Sequence, residues 1–258
     1  SGGTESNNLF LETVRQTAYP LYMTTVEHAS LLDGVGAYTP IPLMPTGVVD
    51  LAALSLMLSA HGAAGGGPFF LSLHGAHNVT GVVQPIAAVA AVVHGHGGFL
   101  HVDGAQALGR IDVAPWLAPG GADYVTLSSH KVGGPSGVGA LIVGKGCPIH
   151  PLLRGGGQEK YRRSGTPNLL GIVGFAAALS EGLGAFKTGI WDRVAALRQD
   201  LEQRIRDGAP GSIIMGWDAP RLPNTLYVTM PGVSSASTNR SLTETRSTKV
   251  TLAGVVGV

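Results

Sequence analysis

The chain has 258 residues, of which 44% are hydrophobic and 13% are charged. This composition excludes an intrinsically disordered protein, because that class combines low hydrophobicity with high net charge. The 17 basic and 16 acidic residues give a net charge of +1, which leaves little field to attract nucleic acid or an anionic membrane surface. We therefore expect small-molecule ligands and neither a nucleic-acid nor a membrane partner.

The cysteine content and the apolar runs indicate the compartment. The single cysteine, Cys147, cannot form an internal disulfide, which is typical of a reducing environment. The longest apolar run, 82–93, contains Gln84 and Pro85 and is much shorter than the ~20 apolar residues that span a bilayer. The sequence opens with no charged-then-apolar leader. The sequence thus predicts a soluble, cytoplasmic protein.

In chain order, short apolar runs alternate with Ala- and Leu-rich stretches, which is typical of a parallel sheet with helices on its faces. One helix is predicted to begin near Asn7, and a second to follow the capping residue Asp50 and end at residue 58. Further helices are predicted at 86–94, directly after Pro85, and at 169–183 and 191–207. Runs rich in β-branched and aromatic residues predict strands at 21–25, 69–74, 99–103, 124–128, 140–143 and 225–230.

These elements divide the chain into three parts. Residues 1–208 form the predicted large domain, and residues 209–233 begin a second, smaller domain. In the last part, 234–258, ten of the eighteen residues from 234 to 251 are Ser or Thr, with no clear periodicity. We expect residues 234–258 to form a poorly packed tail, because so few side chains there can join a core.

The strongest chemical signal is Ser128-Ser129-His130-Lys131, which lies directly after a predicted strand and before a glycine-rich turn. A lysine that is partly buried beside other cations loses its proton more readily, and its neutral amine then attacks carbonyl groups. His130 is a neighbour of this kind. The alternative is a surface lysine in an ordinary loop between a strand and a helix.

A second signal is Asp103, which ends the predicted strand 99–103. Open α/β sheets bind ligands at the carboxyl edge of their strands. A buried carboxylate there needs a cationic partner, and a protonated pyridine nitrogen is one such partner. Capping of the next turn by Asp103 is an equally good interpretation. At the N-terminus, Gly2, Gly3 and Thr4 precede a predicted helix and offer backbone N–H groups and a hydroxyl to a phosphate, although most glycine turns bind nothing.

The histidines raise a metal hypothesis, because His94, His96 and His101 lie close to Asp103 in sequence and imidazoles with a carboxylate bind zinc. However, His94 and His96 flank a predicted helix end, where the helix dipole favours histidine. We therefore predict no metal site.

Seven separated motifs together resemble the cysteine desulfurase family, which belongs to the class V aminotransferase group of fold-type I enzymes that use pyridoxal 5′-phosphate. The resemblance runs from Ser1 to about residue 233. The motifs are Ser-Gly-Gly-Thr-Glu-Ser-Asn-Asn at 1–8, Thr-Val-Glu-His at 25–28, Asn78 with Thr-Gly-Val-Val-Gln-Pro at 80–85, His-Val-Asp-Gly-Ala-Gln at 101–106, Ser-Ser-His-Lys at 128–131, Gly-Gly-Gly-Gln-Glu at 155–159 with Arg-Ser-Gly-Thr at 163–166, and Pro-Asn-Thr at 223–225.

The resemblance implies an α/β fold, namely a fold-type I large domain with a mainly parallel sheet flanked by helices and the start of a small C-terminal α+β domain. It implies that Lys131 binds the cofactor covalently and then transfers protons, while Asp103 pairs with the pyridine nitrogen. Gln106 and Asn78 would bind the ring hydroxyl, and His28 would stack on the ring and shuttle protons.

The resemblance also assigns residues to the phosphate and implies a homodimer. The phosphate would be held by the small, hydroxyl-bearing and imidazole residues Gly3, Thr4, Ser128, His130 and, from a second subunit, Thr166. The implied substrate is L-cysteine, which leaves as alanine after its sulfur is transferred to a thiol of the enzyme. A sulfur-acceptor protein and iron–sulfur cluster assembly belong to the same implied function.

Departures from the family pattern lead us to expect impaired sulfur transfer. The sulfur-accepting cysteine segment and the C-terminal arginine of the family have no match here, and Arg240 and Arg246 lie in the predicted tail. The family's first several dozen residues are also unmatched, so the pattern is truncated at both ends. We expect Cys147 to be structural. A selenocysteine lyase, a class V aminotransferase and a non-catalytic fragment or decayed paralogue stay open as alternatives.

Overall fold

A computed structural model of the chain describes residues 1–231. The predicted tail, 234–258, and residues 232–233 lie outside the described residues, and the division into a large and a small domain stays a prediction. The helices are α1 (Gly3–Thr17), α2 (Ala29–Leu32), α3 (Leu51–Ala63), α4 (Ile86–Gly95), α5 (Ala114–Leu117), α6 (Leu169–Lys187) and α7 (Ile190–Gly208).

The main sheet has six strands in the order β2-β1-β3-β4-β5-β6, and a separate sheet pairs β7 with β8. Neighbouring strands of the main sheet are parallel except that β6 runs antiparallel to β5. This confirms the predicted α/β fold with a mainly parallel sheet. The strands are β1 (Leu21–Met23), β2 (Thr39–Pro40), β3 (Phe70–His74), β4 (Phe99–Asp103), β5 (Tyr124–Ser128), β6 (Gly139–Val143), β7 (Ile213–Ile214) and β8 (Val228–Thr229).

The central strand β3 is buried on both faces, and its apolar residues pack on both. Phe70 packs in a cluster with Phe10 of α1, whereas Leu71 and Leu73 pack in a larger cluster with α3 and α4 on the opposite face. Successive side chains of a strand point to opposite faces. The sheet is therefore covered on both sides, and its ligand-binding positions are left at the strand ends.

Side chains cap the starts of the longer helices α3 and α6. Asp50 Oδ1 accepts a hydrogen bond of 3.0 Å from the backbone N–H of Ala53 at the start of α3. Asn168 Oδ1 accepts one of 3.1 Å from the N–H of Gly171 at the start of α6. Both bonds satisfy a donor that the helix itself leaves unpaired.

Two predicted boundaries near the site were wrong. Helix α1 begins at Gly3 rather than near Asn7, because Gly2 adopts a φ of +118° that turns the chain into the helix. The predicted strand 225–230 is reduced to Val228–Thr229. Its preceding residues pack on the loop after β3 instead: the N–H of Leu222 donates to the carbonyl oxygen of Gly81 at 2.8 Å.

Helix α6 is long and apolar enough to cross a membrane, with a mean hydropathy of 1.7. Its sequence includes Ser180 and Glu181. One helix of this kind is weak evidence for a membrane span, since core helices of soluble proteins have the same length and composition.

The contact between Gly139 and Gly2 predicts a stability difference between two glycine substitutions. A Cβ at Gly139 would lie 2.5 Å from the carbonyl carbon of Gly2, so Gly139→Ala must displace either β6 or the start of α1. We expect the free energy of unfolding to fall by about 1–3 kcal/mol, as measured by urea denaturation.

Gly62→Ala is the matched control, because a Cβ there meets nothing within 4 Å and Gly62 lies within α3. We expect it to raise the free energy of unfolding by roughly 0.5–1 kcal/mol. Equal effects of the two substitutions on the free energy of unfolding would contradict the close contact between Gly139 and Gly2.

Candidate active site

Asp103 lies at the carboxyl end of β4, where it is flanked by His74 of β3 and Thr126 of β5. It is only 8% exposed. Its Oδ1 accepts a hydrogen bond of 3.0 Å from the N–H of Ala105, and its Oδ2 accepts one of 2.8 Å from Nδ2 of Asn7. Asp103 therefore caps the following turn and is also a buried carboxylate.

The charge of Asp103 is not balanced by a cation within residues 1–231, where no ion pair includes it. Burial raises the pKa of Asp103, and the hydrogen bonds from Asn7 and Ala105 partly oppose that increase. The nearby Glu27 carboxylate raises this pKa further. Such a carboxylate attracts a cationic hydrogen-bond donor.

Lys131 lies in a single 3₁₀ turn, Ser129–Val132, that follows β5 directly. Gly133 ends this turn with a φ of +83°, and a Cβ at Gly134 would lie 2.3 Å from Ser129 Oγ. Both glycines are therefore needed for the tight turn. The turn holds Lys131 half-buried at the same sheet edge as Asp103, which favours the positioned lysine over a freely solvated one.

A buried arginine that the sequence interpretation missed connects the segment after Asp103 to the Lys131 turn. Arg110 is 4% exposed. One of its terminal nitrogens donates to the carbonyl oxygen of Gln106 at 2.7 Å, and the other donates to the carbonyl oxygen of Lys131 at 2.9 Å. Burial lowers the pKa of Arg110. The two loops that carry Gln106 and Lys131 are thus tied together through one guanidinium group.

The start of α1 lies against the end of β5. A Cβ at Gly3 would lie 3.4 Å from Cβ of Ser128, and the Ser128 hydroxyl lies 3.1 Å from Nδ1 of the exposed His130. The first N–H groups of a helix have no partner within it and carry partial positive charge. Gly3, Thr4, Ser128 and His130 therefore form one region that suits an anion.

A hydrogen-bonded chain extends from Asp103 to His28. Asn7 Nδ2 lies 2.8 Å from Asp103 Oδ2 and 2.8 Å from Oγ of Ser30, which in turn lies 2.8 Å from Nδ1 of His28. Asn7 had no role in the sequence interpretation, because a helix starting near Asn7 does not place it beside Thr4. With the true start at Gly3, Thr4 and Asn7 are three residues apart on one face.

A second buried cluster lies beside Asp103. Glu27 Oε1 accepts a hydrogen bond of 2.5 Å from the Thr24 hydroxyl and lies 2.9 Å from Nδ1 of His74. His74 Nε2 lies 3.1 Å from Nε2 of Gln84. Since the Gln84 nitrogen can only donate, His74 Nε2 accepts from it and Nδ1 is left to donate to Glu27.

Asn78 and Thr166 make no hydrogen bond to another predicted site residue in the described part of the chain. Asn78 is half-buried in the loop after β3. Thr166 is exposed on the wall of a cavity of about 520 Å³ that also includes Glu5 and Arg163. Arg163 Nε donates to Glu5 Oε1 at 2.7 Å, which lowers the pKa of Glu5 to about 2.

The histidines considered for a metal site point to separate partners. His94 Nε2 lies 2.9 Å from Asp123 Oδ2, and His96 Nε2 lies 3.1 Å from Ser59 Oγ. His101 is fully buried between Ser72 and Thr126, and burial lowers its pKa to about 3. Within residues 1–231, no three His, Cys, Asp or Glu side chains form a group that could hold a metal ion.

Cys147 has the environment of a structural thiol. Its Sγ lies 3.6 Å from Oδ1 of Asp123. Burial and the Asp123 carboxylate raise the pKa of Cys147 to about 11. A nucleophilic cysteine needs the thiolate form and an electropositive environment, so this environment is opposite to the one that activates a thiol.

The chain matches known proteins over nearly its full length. The sequence pattern of the family described as "Aminotransferase class-V" matches residues 1–252. A cysteine desulfurase of Cereibacter sphaeroides is 36% identical over 240 residues, which cover 88% of this chain and 59% of the relative. "Cysteine desulfurase IscS 1" of Archaeoglobus fulgidus is 32% identical over 257 residues, which cover 94% of this chain and 63% of the relative.

The fold also matches solved structures. The X-ray structure of a NifS-like protein from Rickettsia africae superposes with a TM-score of 0.81 at 30% identity, over 95% of this chain and 66% of that one. The chain spans about three fifths of the length of the curated relatives it matches.

The environment of Cys147 predicts slow alkylation at neutral pH. With a pKa of about 11, about one thiol in 10⁴ is ionised at pH 7, and only the thiolate reacts. The rate of carboxamidomethylation by iodoacetamide, followed by mass spectrometry, is expected to increase up to pH 11.

Asp123→Asn removes the carboxylate that raises this pKa and is expected to shift the pH–rate curve to lower pH. Cys147→Ser supplies the background rate. A midpoint at or below the ordinary thiol value of about 8.5 in the unsubstituted chain would contradict the prediction.

Proposed function

We propose that this chain, which belongs to the class-V aminotransferase family, carries the cofactor site of a pyridoxal 5′-phosphate-dependent cysteine desulfurase. The observation that carries this proposal is the buried Asp103 carboxylate, which has neutral hydrogen-bond donors and, among residues 1–231, no cation paired with it. It lies one strand away from the turn that bears Lys131. The named relatives of the chain support the same reaction class.

The residues suit pyridoxal 5′-phosphate at its ring nitrogen and at its phosphate. Asp103 would accept a hydrogen bond from the protonated pyridine nitrogen, because this carboxylate has an unbalanced charge. Gly3 and Thr4 at the start of α1, with Ser128 and His130, would hold the phosphate. Asn78 and Gln106 would bind the ring hydroxyl, as the motifs suggest.

When bound, the cofactor supplies an electron sink for the substrate carbanion. Lys131 would hold the cofactor covalently and, once released by the substrate, would move a proton at its Nζ atom. The Arg110 bond to the Lys131 carbonyl oxygen would keep this amine in place during both tasks. His28, at the start of α2, would cover the ring face and exchange a proton at its imidazole.

The proposed overall reaction converts L-cysteine and a thiol into L-alanine and a persulfide. The bond between the cysteine Cβ and its sulfur breaks, and a bond forms between that sulfur and the attacking thiolate. The Cβ keeps the electron pair of the broken bond and takes up the proton that the attacking thiol released. The carbon is thus reduced by two electrons while the sulfurs are oxidised by two, so no external oxidant is consumed. Cys147 is a poor acceptor, because its pKa is raised to about 11. We therefore propose that the acceptor thiol comes from another molecule, such as a sulfur-acceptor protein of iron–sulfur cluster assembly.

We further propose a homodimer in which Thr166 completes the phosphate site of the partner subunit. Thr166 is exposed, and the residues that follow it at the start of α6 are apolar and exposed, with Leu169 at 69% and Leu170 at 86%. Exposed apolar patches of this kind are typical of protein interfaces. The proposed compartment is the cytoplasm, where a lone cysteine stays reduced.

Covalent labelling tests the role of Lys131. The chain is incubated with pyridoxal 5′-phosphate, reduced with borohydride and digested, and the modified peptide is identified by mass spectrometry. We expect the mass increase on Lys131, its loss in Lys131→Ala, and its persistence in Lys145→Ala, because Lys145 is exposed beyond β6. Modification of other lysines at equal yield would contradict the proposal.

The same preparations test the role of Asp103 and the reaction class. Asp103→Ala is expected to bind pyridoxal 5′-phosphate at least about ten-fold more weakly, because it loses a charge-assisted hydrogen bond. Alanine formed from L-cysteine with added dithiothreitol should depend on Lys131. Alanine formation that persists in Lys131→Ala would sink the assignment.

A further inference from the structure

We propose that Asn7 is a positioning residue that orients Asp103 and, through Ser30, the imidazole of His28. The proposal rests on the proposed function, because that function gives Asp103 and His28 their roles toward the cofactor. The observation behind it is one continuous chain of hydrogen bonds between side chains of α1, α2 and the end of β4.

The amide of Asn7 can adopt only one orientation in this series of hydrogen bonds. Its Nδ2 lies 2.8 Å from Asp103 Oδ2 and 2.8 Å from Ser30 Oγ, and an amide nitrogen has two hydrogens to donate. A flipped amide would place its oxygen against the Asp103 carboxylate, where two acceptors would repel each other. Asn7 is 1% exposed, so water cannot replace these bonds.

The remaining hydrogens along the chain follow from this orientation. Ser30 Oγ accepts from Asn7, and its own hydrogen donates to His28 Nδ1 at 2.8 Å, because the backbone N–H of Ser30 points at the same nitrogen and makes it an acceptor. The backbone N–H of Ser30 also donates to His28 Nδ1, at 3.1 Å. The Nδ1 atom therefore accepts twice, and the proton of the neutral imidazole is on Nε2.

These hydrogen bonds constrain the carboxylate of Asp103 at one end and the imidazole of His28 at the other. Asp103 is held at Oδ2 by Asn7 and at Oδ1 by Ala105, so its carboxylate plane cannot rotate freely. His28 presents a protonated Nε2, and none of the hydrogen bonds between described residues involves that atom. An imidazole that donates a proton to a ligand, or accepts one from it, needs a ring nitrogen that no other hydrogen bond occupies.

Asn7 also leaves its Oδ1 atom buried without a hydrogen-bond partner among residues 1–231. A buried, unpaired carbonyl oxygen is destabilising. Both N–H groups of the Asn7 amide therefore donate, to Asp103 and to Ser30, while the amide oxygen has no hydrogen-bond partner among the described residues. A merely structural asparagine in α1 would leave the tautomer of His28 unaffected, so the tautomer separates the two roles.

The first experiment measures the tautomer in the cofactor-free chain by ¹⁵N NMR of the histidine side chains, at a pH where the ring is neutral. His28→Gln identifies the resonances of His28. We expect the Nε2-protonated form to predominate in the unsubstituted chain, and Ser30→Ala and Asn7→Ala to shift it toward a mixture. Asn8→Ala is the matched control, because among residues 1–231 the Asn8 side chain donates only to the carbonyl oxygen of Thr4.

The second experiment measures the affinity for pyridoxal 5′-phosphate by equilibrium dialysis. Asn7→Ala is expected to bind it roughly ten-fold more weakly or worse, because a hydrogen bond to a charged group is lost. Ser30→Ala should bind more tightly than Asn7→Ala, since Asp103 keeps its Asn7 donor. Asn7→Asp has the same shape but lacks the donors, so it tests the proposal if the alanine variant does not fold.

A predominantly Nδ1-protonated His28 in the unsubstituted chain would overturn the proposal. So would an Asn7 variant that matches Asn8→Ala in both the tautomer and the affinity measurement. These outcomes differ from a failure of the proposed function, in which the unsubstituted chain takes up no pyridoxal 5′-phosphate. The tautomer measurement uses no cofactor and keeps its meaning in that case.

Discussion

The buried negative charge of Asp103 is the constraint on which the arrangement of this site depends. Removal of a carboxylate from water costs several kcal/mol unless it is paired or well hydrogen-bonded. In the described chain, Asp103 receives neutral N–H donors from Asn7 and Ala105, and burial raises its pKa. A cationic ligand would relieve this cost in the folded state alone. Ligand binding and stability are therefore linked through one side chain.

The parallel strands and α1 meet this constraint together. Strands β3, β4 and β5 end at one edge of the sheet and bring His74, Asp103 and Ser128 to it. The side chains that fix these positions come from distant parts of the sequence: Asn7 contacts Asp103, and Arg110 contacts Lys131. Loop closure over such separations is entropically costly, so the site forms only with the assembled sheet.

Local signals in the sequence were enough to predict the strands that carry the site but not the side chains that support it. The bounds of β4 and β5 agree with the predicted 99–103 and 124–128, because both runs are rich in aromatic and β-branched residues and each directly follows a Gly or an Asp. The start of α1 was predicted near Asn7 instead of at Gly3, because it depends on the backbone conformation of Gly2. The role of Asn7 was missed for the same reason. Arg110 was missed because its partners are backbone carbonyls, which leave no trace in the sequence. The antiparallel direction of β6 is likewise set by its pairing with β5, which the local sequence does not record.

The two ends of the site require opposite charges. The start of α1 beside Ser128 carries the partial positive charge of a helix N-terminus, whereas Asp103 needs a positive partner. Thr4 and Asn7 lie one turn apart on the same helix, a rise of about 4.5 Å, so α1 serves both ends as one rigid element. A simple anion would satisfy only the helix end, and a simple cation only Asp103. A ligand with a phosphate and a protonated ring nitrogen satisfies both, and this charge pattern restricts what the site can bind more strongly than either end alone.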